Sequence, residues 1–240
     1  MDLSIVAWAA VLAAVLLGAT IQGAIGFGMN LVSVPVIALV APDTLPIAAI
    51  LLGVPISVVM ARYERASVDR SGVLWLFVGR VPGSAAGAAV VVAASTRDLQ
   101  LFVGAVVLLM VLASITAPPI PVRRETQVGA GFVSGITGTA AGIGGPPVAL
   151  LYQRHSGPVM RATLAATFFL GTILSVTTLA VSGSIPRDGV LLGAASIPFV
   201  VLGSRSGRRF HALLERRWLR PAVLAFSAVS AGVVVVDALW

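Results

Sequence analysis

Gln22-Gly23-Ala24-Ile25-Gly26-Phe27-Gly28-Met29-Asn30 interrupts an apolar run covering residues 3–41. Thr137-Gly138-Thr139-Ala140-Ala141-Gly142-Ile143-Gly144-Gly145-Pro146-Pro147 interrupts another, covering residues 128–152. A helical membrane span takes about 20 apolar residues, so the first run is too long for one upright crossing. Glycine lets the chain reverse, and Pro146 or Pro147 suits the first turn of a helix, where a missing N–H is no loss. Inside lipid, non-helical backbone is tolerated only where protein or a water-filled cavity surrounds it. Two such breaks therefore predict a cavity.

The remainder of the chain has the same character. Further apolar segments cover residues 44–60, 73–94, 99–116, 162–181, 190–203 and 219–239. Hydrophobic residues make up 58% of the 240 positions and charged residues 10%, whereas a soluble domain carries about 25% charged residues. That supply cannot clothe a water-soluble surface. The fold class expected is an all-α integral membrane protein of the cytoplasmic membrane. Met1-Asp2-Leu3-Ser4 lacks the basic start of a secretory signal, so the first run is read as a retained helix.

All 16 basic residues are arginine and the formal net charge is +7. The arginines sit mostly in short gaps between apolar runs, which is the pattern of cytoplasmic loops under the positive-inside rule rather than of a nucleic-acid surface. Cysteine is absent and only His155 and His211 carry imidazole. Disulfides and thiolate sites are thereby excluded, and no metal, cofactor or acid–base pair is expected. His155, beside Arg154, reads as a loop residue.

The linker Ala117-Pro118-Pro119-Ile120-Pro121-Val122-Arg123-Arg124-Glu125 divides the chain. Residues 1–117 form a first half, 118–127 a Pro/Arg linker and 128–240 a second half of one membrane domain. Sliding residues 26–87 by 116 positions sets Gly26 on Gly142, Gly28 on Gly144, Pro42 on Pro158, Pro82 on Pro198 and Gly87 on Gly203. Composition alone gives about one such coincidence, so a duplication is expected, with a binding site between the halves.

Two topologies are open. If each broken segment crosses once, the loop arginines divide nine against six. If each is a hairpin, Arg62, Arg65, Arg70, Arg123, Arg124, Arg154, Arg161 and the six from Arg205 to Arg220 share one side, thirteen against Arg97 and Arg187. The positive-inside rule prefers the hairpins. Each half is then a glycine-rich broken helix or hairpin plus three transmembrane helices, the repeats are inverted, and both termini lie outside. Trp8, Trp75, Trp218 and Trp240 fall near segment ends as interfacial anchors.

A helix starting at a break aims free N–H groups and a partial positive charge at the cavity, which favours an anion. The candidate substrate-binding residues are Gln22, Gly26, Gly28 and Asn30 at the first break, Thr137, Thr139, Gly142, Gly144, Gly145 and Pro146 at the second, and Arg80. The competing reading is that the glycines serve close helix packing. Arg80 lies inside segment 73–94; it either supplies forked donors to an oxyanion or snorkels to an interface. Its counterpart at the 116-residue offset is Ser196. Gln22, Asn30, Thr137 and Thr139 either donate to substrate or cap the broken helices. Thr163, Thr167, Thr172 and Ser175 either line the path or bond back to their own helix.

Gly26-Phe27-Gly28 with Val34-Pro35 downstream, repeated as Gly142-Ile143-Gly144-Gly145-Pro146-Pro147, resembles the sulfite exporter TauE/SafE family of membrane permeases. The likeness extends over nearly the whole chain, including residues 198–207 and the arginine-rich stretch after them. It implies transport of sulfite, sulfonates or related small sulfur oxyanions. The first half departs from the glycine-rich form, with Met29 and Asn30 where the second half has Gly145 and Pro146.

No carboxylate lies deep in an apolar segment, which speaks against a proton relay. In a cell that is negative inside, an anion leaving gains about 2.3 kcal/mol per charge per 100 mV, so export needs no coupling. The expected partners are the lipid bilayer and a small anionic substrate, with a sodium or proton coupling ion and a homodimer left open. Nucleic acid is not expected. The alternatives are a cation-coupled importer of another small organic anion and a non-transport membrane subunit. An enzyme would need a catalytic set that the apolar segments lack. The topology has a direct test: a fluorescent protein that folds only in the cytoplasm, fused after Trp240, stays dark, and a bright fusion rejects the hairpins.

Overall fold

The structure is a computed structural model that describes residues 3–118, 120–209 and 219–240, in which all regular structure is helical. His211, Glu215, Arg216, Arg217 and Trp218 lie outside the described residues. The first broken segment forms α1 (Ile5–Ile25) and α2 (Met29–Val40). Next come α3 (Ile47–Leu51), α4 (Gly53–Glu64), α5 (Arg70–Ala93) and α6 (Thr96–Thr116). The second broken segment forms α7 (Arg124–Ala140) and α8 (Gly145–Tyr152), followed by α9 (Gly157–Val181), α10 (Arg187–Arg209) and α11 (Leu219–Leu239). Among the described residues six helices, α1, α5, α6, α9, α10 and α11, are long and apolar enough to cross a membrane. Large side chains such as Leu109, Ile173, Leu202 and Val229 are exposed on them. Apolar surface of this kind faces lipid rather than water.

Segment 44–60 forms an apolar helix, Ile47–Arg62, with one local irregularity. That irregularity, at Leu52, separates α3 from α4. Pro55 cannot donate to the Leu51 carbonyl, and its ring crowds that carbonyl. Gly53 adds backbone freedom where α4 meets α9, because a β-carbon there would collide with Thr172 Oγ1. Pro82 and Pro198, without a glycine two residues before them, stay inside continuous helices.

Both broken segments double back. Seven residues, about 10 Å of helix, separate Gly18 from the end of α1. Yet a β-carbon on Gly18 would lie 2.6 Å from the Met29 carbonyl oxygen, at the start of α2. In the second segment the Ser134 hydroxyl donates to the Gly144 carbonyl at 2.6 Å, across a comparable length of α7. A straight continuation could make neither contact. Reversal is possible because Gly26, Gly28 and Gly142 have φ of 98°, 109° and 72°, values that side chains with a β-carbon resist.

The loops then sort into two ends. At one, Tyr152 OH donates to Asp69 Oδ2 at 2.7 Å, Gln127 Nε2 donates to Tyr152 OH at 3.0 Å, and Asp69 N donates to Thr163 Oγ1 at 3.1 Å. The Arg124 guanidinium stacks over Trp75, 5.0 Å from the ring centroid. At the other end Thr96 Oγ1 donates to Asp43 at 3.0 Å, Arg97 Nη2 to the Leu239 carbonyl at 3.0 Å, and Gln100 Nε2 to the Ala38 carbonyl at 2.8 Å. Gly189 packs on the Thr44 carbonyl there. α1–α2 therefore returns to the end holding Arg97 and Arg187, and α7–α8 to the opposite, arginine-rich end.

Each hairpin is clasped by a helix from the other half. α5 runs parallel to α7 with Gly79, Gly83 and Gly87 against Val128, Phe132 and Ile136, and with Gly131 and Gly135 against Leu76 and Arg80. α1 runs parallel to α10 with Gly203 against Leu16 and Gly207 against Thr20. The Gly87–Ile136 contact, moved by 116 residues with the halves exchanged, becomes Gly203–Thr20, and that contact is present. Without a hydrophobic drive between helices in lipid, such close backbone approach is what holds them together. A substitution pair checks this. Gly131→Leu would force a β-carbon into the Leu76 carbonyl, whereas Gly129, two residues away, has nothing within 4 Å of the corresponding position. Gly131→Leu is expected to destabilise by about 1–3 kcal/mol or more, read as a lower melting temperature in detergent, with Gly129→Leu near wild type. Equal melting of the two would refute the packing argument.

Candidate functional site

The first break is held by its own helix. The Gly26 N–H donates to the Gln22 carbonyl at 2.8 Å and ends α1; the Gln22 side chain then accepts from the Met29 N–H at 3.1 Å and starts α2. Gln22 thus acts as a cap. In the second break the N–H groups of Ala141 and Ile143 both donate to the Thr137 carbonyl at 3.0 Å. Pro146 and Pro147 occupy the first turn of α8, as the sequence leads one to expect.

Asn30 joins the two breaks. Its Nδ2 donates to the Gly142 carbonyl at 2.6 Å and to the Ala49 carbonyl at 3.0 Å, and its Oδ1 accepts from Ser33. Both side-chain donors are used on backbone, so Asn30 ties the hairpins together rather than offering an amide to a guest.

Between the breaks is a chamber of about 60 Å³. Of the residues singled out in the sequence, Gln22, Gly28, Asn30, Arg80, Gly142, Gly144, Gly145 and Pro146 line it. Three do not. Gly26 lies under the Arg161 side chain, whose Cγ is 2.6 Å from where a β-carbon would sit. Thr137 turns its hydroxyl to the Val133 carbonyl, and the buried Thr139 hydroxyl pairs with Ser175 at 2.8 Å. Ser175 and Thr172 do line the chamber, whereas Thr163 and Thr167 bond elsewhere.

Arg80 is 4% exposed. It does not snorkel: Nη1 donates to Ser134 Oγ at 2.6 Å, and the Ser134 hydroxyl in turn donates a hydrogen bond to the Gly144 carbonyl. Its Nε has no hydrogen-bond partner. No carboxylate pairs with it among the described residues. The guanidinium rests on Gly171, where any β-carbon would collide with it. The backbone N–H groups of Asn30, Gly144 and Gly145 also find no acceptor among the described residues. These are the orphan donors that start a helix.

The arrangement collects a full positive charge, unpaired donors from two helix starts and no carboxylate in one small space. A buried unpaired charge is expensive, and an anion placed here would relieve it. Ser134, Phe168 and Gly171 belong to this site without having been singled out in the sequence. Ser134 aligns with Gly18 at the 116-residue offset, and nothing in its spacing points to Arg80.

The family profile described as Sulfite exporter TauE/SafE matches residues 10–234. No curated protein and no solved structure matches the chain. A match over nearly all 240 residues, including both glycine-rich breaks, the embedded Arg80 and the helices that enclose them, shows that the chain belongs to the sulfite exporter TauE/SafE family of membrane transporters.

Proposed function

We propose that the protein is a permease for small sulfur oxyanions such as sulfite or organosulfonates. The anion is held between the two glycine-rich breaks with Arg80 as its countercharge. The observation that carries this is Arg80 itself, buried in the chamber wall with Nε unpaired and no carboxylate beside it. Size agrees. At about 10–15 Å³ of such volume per water, a chamber of about 60 Å³ takes the equivalent of about four to six waters. That suits a compact oxyanion.

Direction follows from charge. The chamber lining contains no Asp or Glu, so it offers no carboxylate to carry a proton or sodium ion. Efflux of an anion down the membrane potential needs neither. We further propose that the arginine-rich end is cytoplasmic, with both termini outside, and that residues 1–117 and 128–240 are inverted repeats. The parallel pairs α5–α7 and α1–α10, and the sorting of Arg97 and Arg187 away from the other loop arginines, support this reading. The positive-inside rule supplies the orientation.

Tracer flux into proteoliposomes tests the proposal, with sulfite, sulfoacetate, sulfate and a carboxylate offered in turn. Sulfite or a sulfonate should move fastest; preference for the carboxylate would reject the substrate class. Arg80→Ala should lower sulfur-oxyanion flux at least tenfold, equivalent to about 1.4 kcal/mol, with the protein still inserted. Gly144→Leu should do the same, because its β-carbon would sit 3.0 Å from Ser134 Oγ and 3.2 Å from Arg80 Nη1. Wild-type flux in both variants would place the anion elsewhere.

A further inference from the structure

α4 and α9 part from each other towards the arginine-rich end. Deep in the bundle they touch, with Gly53 against Thr172. Nearer that end the wall residues are Ala61 on α4 and Ala162, Ala165 and Ala166 on α9, whose side chains are too short to close the gap. A cleft of about 350 Å³ results. It follows α9 from Phe169 to Ala162, about 10 Å of helix, and at its rim Val58 and Phe169 are exposed. On a protein whose apolar surface meets lipid, hydrocarbon fills such a cleft, because a void forfeits the contacts of its walls.

Among the described residues the one charge in the cleft wall is Arg62, exposed on the last turn of α4. No described residue pairs with its guanidinium. Its long stem can lie on apolar wall while the head stays at headgroup level. Arg70, Arg123 and Arg124 stand at the same end, so the local field favours negative charge. Basic recesses between membrane helices suit anionic lipid headgroups. A small free anion gains little here, because apart from Arg62 and Ser57 the walls are apolar.

We infer that the cleft binds one anionic phospholipid, with its phosphate on Arg62 and an acyl chain along Ala162, Ala166 and Phe169. The same two helices wall the chamber, through Ile56 on α4 and Phe168 and Thr172 on α9. A lipid seated in the cleft braces the chamber from its outer side, and a ligand that binds only the folded protein stabilises it. The site does not depend on what the chamber carries.

The melting temperature of the purified protein in a neutral detergent tests this without any transport. Phosphatidylglycerol should raise it about 3 °C or more beyond phosphatidylcholine with the same acyl chains. Arg62→Gln should remove most of that difference. Arg70→Gln takes the same charge from the same end without touching the cleft, and should keep it. Native mass spectrometry gives a second reading. Wild type should retain one phosphatidylglycerol, and Ala166→Leu, at a half-buried position in the cleft wall, should lose it. Equal melting in the two lipids, or an Arg62→Gln variant that prefers phosphatidylglycerol as strongly as wild type, overturns the inference. So does a shift reproduced by glycerol phosphate, which carries the charge without acyl chains. A dimer that Ala166→Leu disrupts would give the face to a second copy of the chain and overturn it as well.

Discussion

Backbone that leaves the helix at membrane depth must find partners within the protein or in a guest, because lipid offers none. This chain leaves the helix twice within its apolar segments, between α1 and α2 and between α7 and α8. It satisfies part of the demand internally, with Gln22 capping α2, Thr137 accepting two N–H groups, and Asn30 reaching across to Gly142 at 2.6 Å. The remainder is left open on the chamber side. That remainder is what supports the proposed anion site, since N–H groups at a helix start favour negative charge.

Arg80 belongs to the same balance. In the interior an isolated guanidinium is normally paired with a carboxylate, and such a pair would cancel the field that an anion needs. Ser134 instead holds Arg80 through a neutral hydroxyl, which fixes its position without neutralising it. Glycine at 171 provides the space. The corresponding place in the other half, Ser196, bonds to its own helix at Leu192. The position of the guanidinium therefore has no charged counterpart at the 116-residue offset.

Packing and site use glycine in two distinct ways. Gly79, Gly83, Gly87, Gly131, Gly135, Gly203 and Gly207 let helices from opposite halves touch. Gly26, Gly28 and Gly142 permit backbone that other residues resist. A glycine-rich membrane sequence therefore does not sort itself into packing and reversal by composition. Position relative to Pro146 and Pro147, and the length of the apolar run, make the distinction.

The all-helical membrane class, the two breaks and the distribution of loop arginines were decided by the sequence alone, because bilayer thickness and the cost of charge in lipid act on local composition. Part of the chamber wall followed, since eight of the eleven residues singled out line it, whereas Gly26, Thr137 and Thr139 do not. The irregularity at Leu52 comes from Pro55, but the Gly53 contact with α9 beside it is one that no window of sequence contains. Ser134 and Gly171 reach Arg80 from positions 54 and 91 residues along the chain, and Gly26 lies against the Arg161 side chain, outside the chamber lining. Only the tertiary structure could decide these, because each depends on which faces of distant helices meet, and that register is set by packing across the whole bundle.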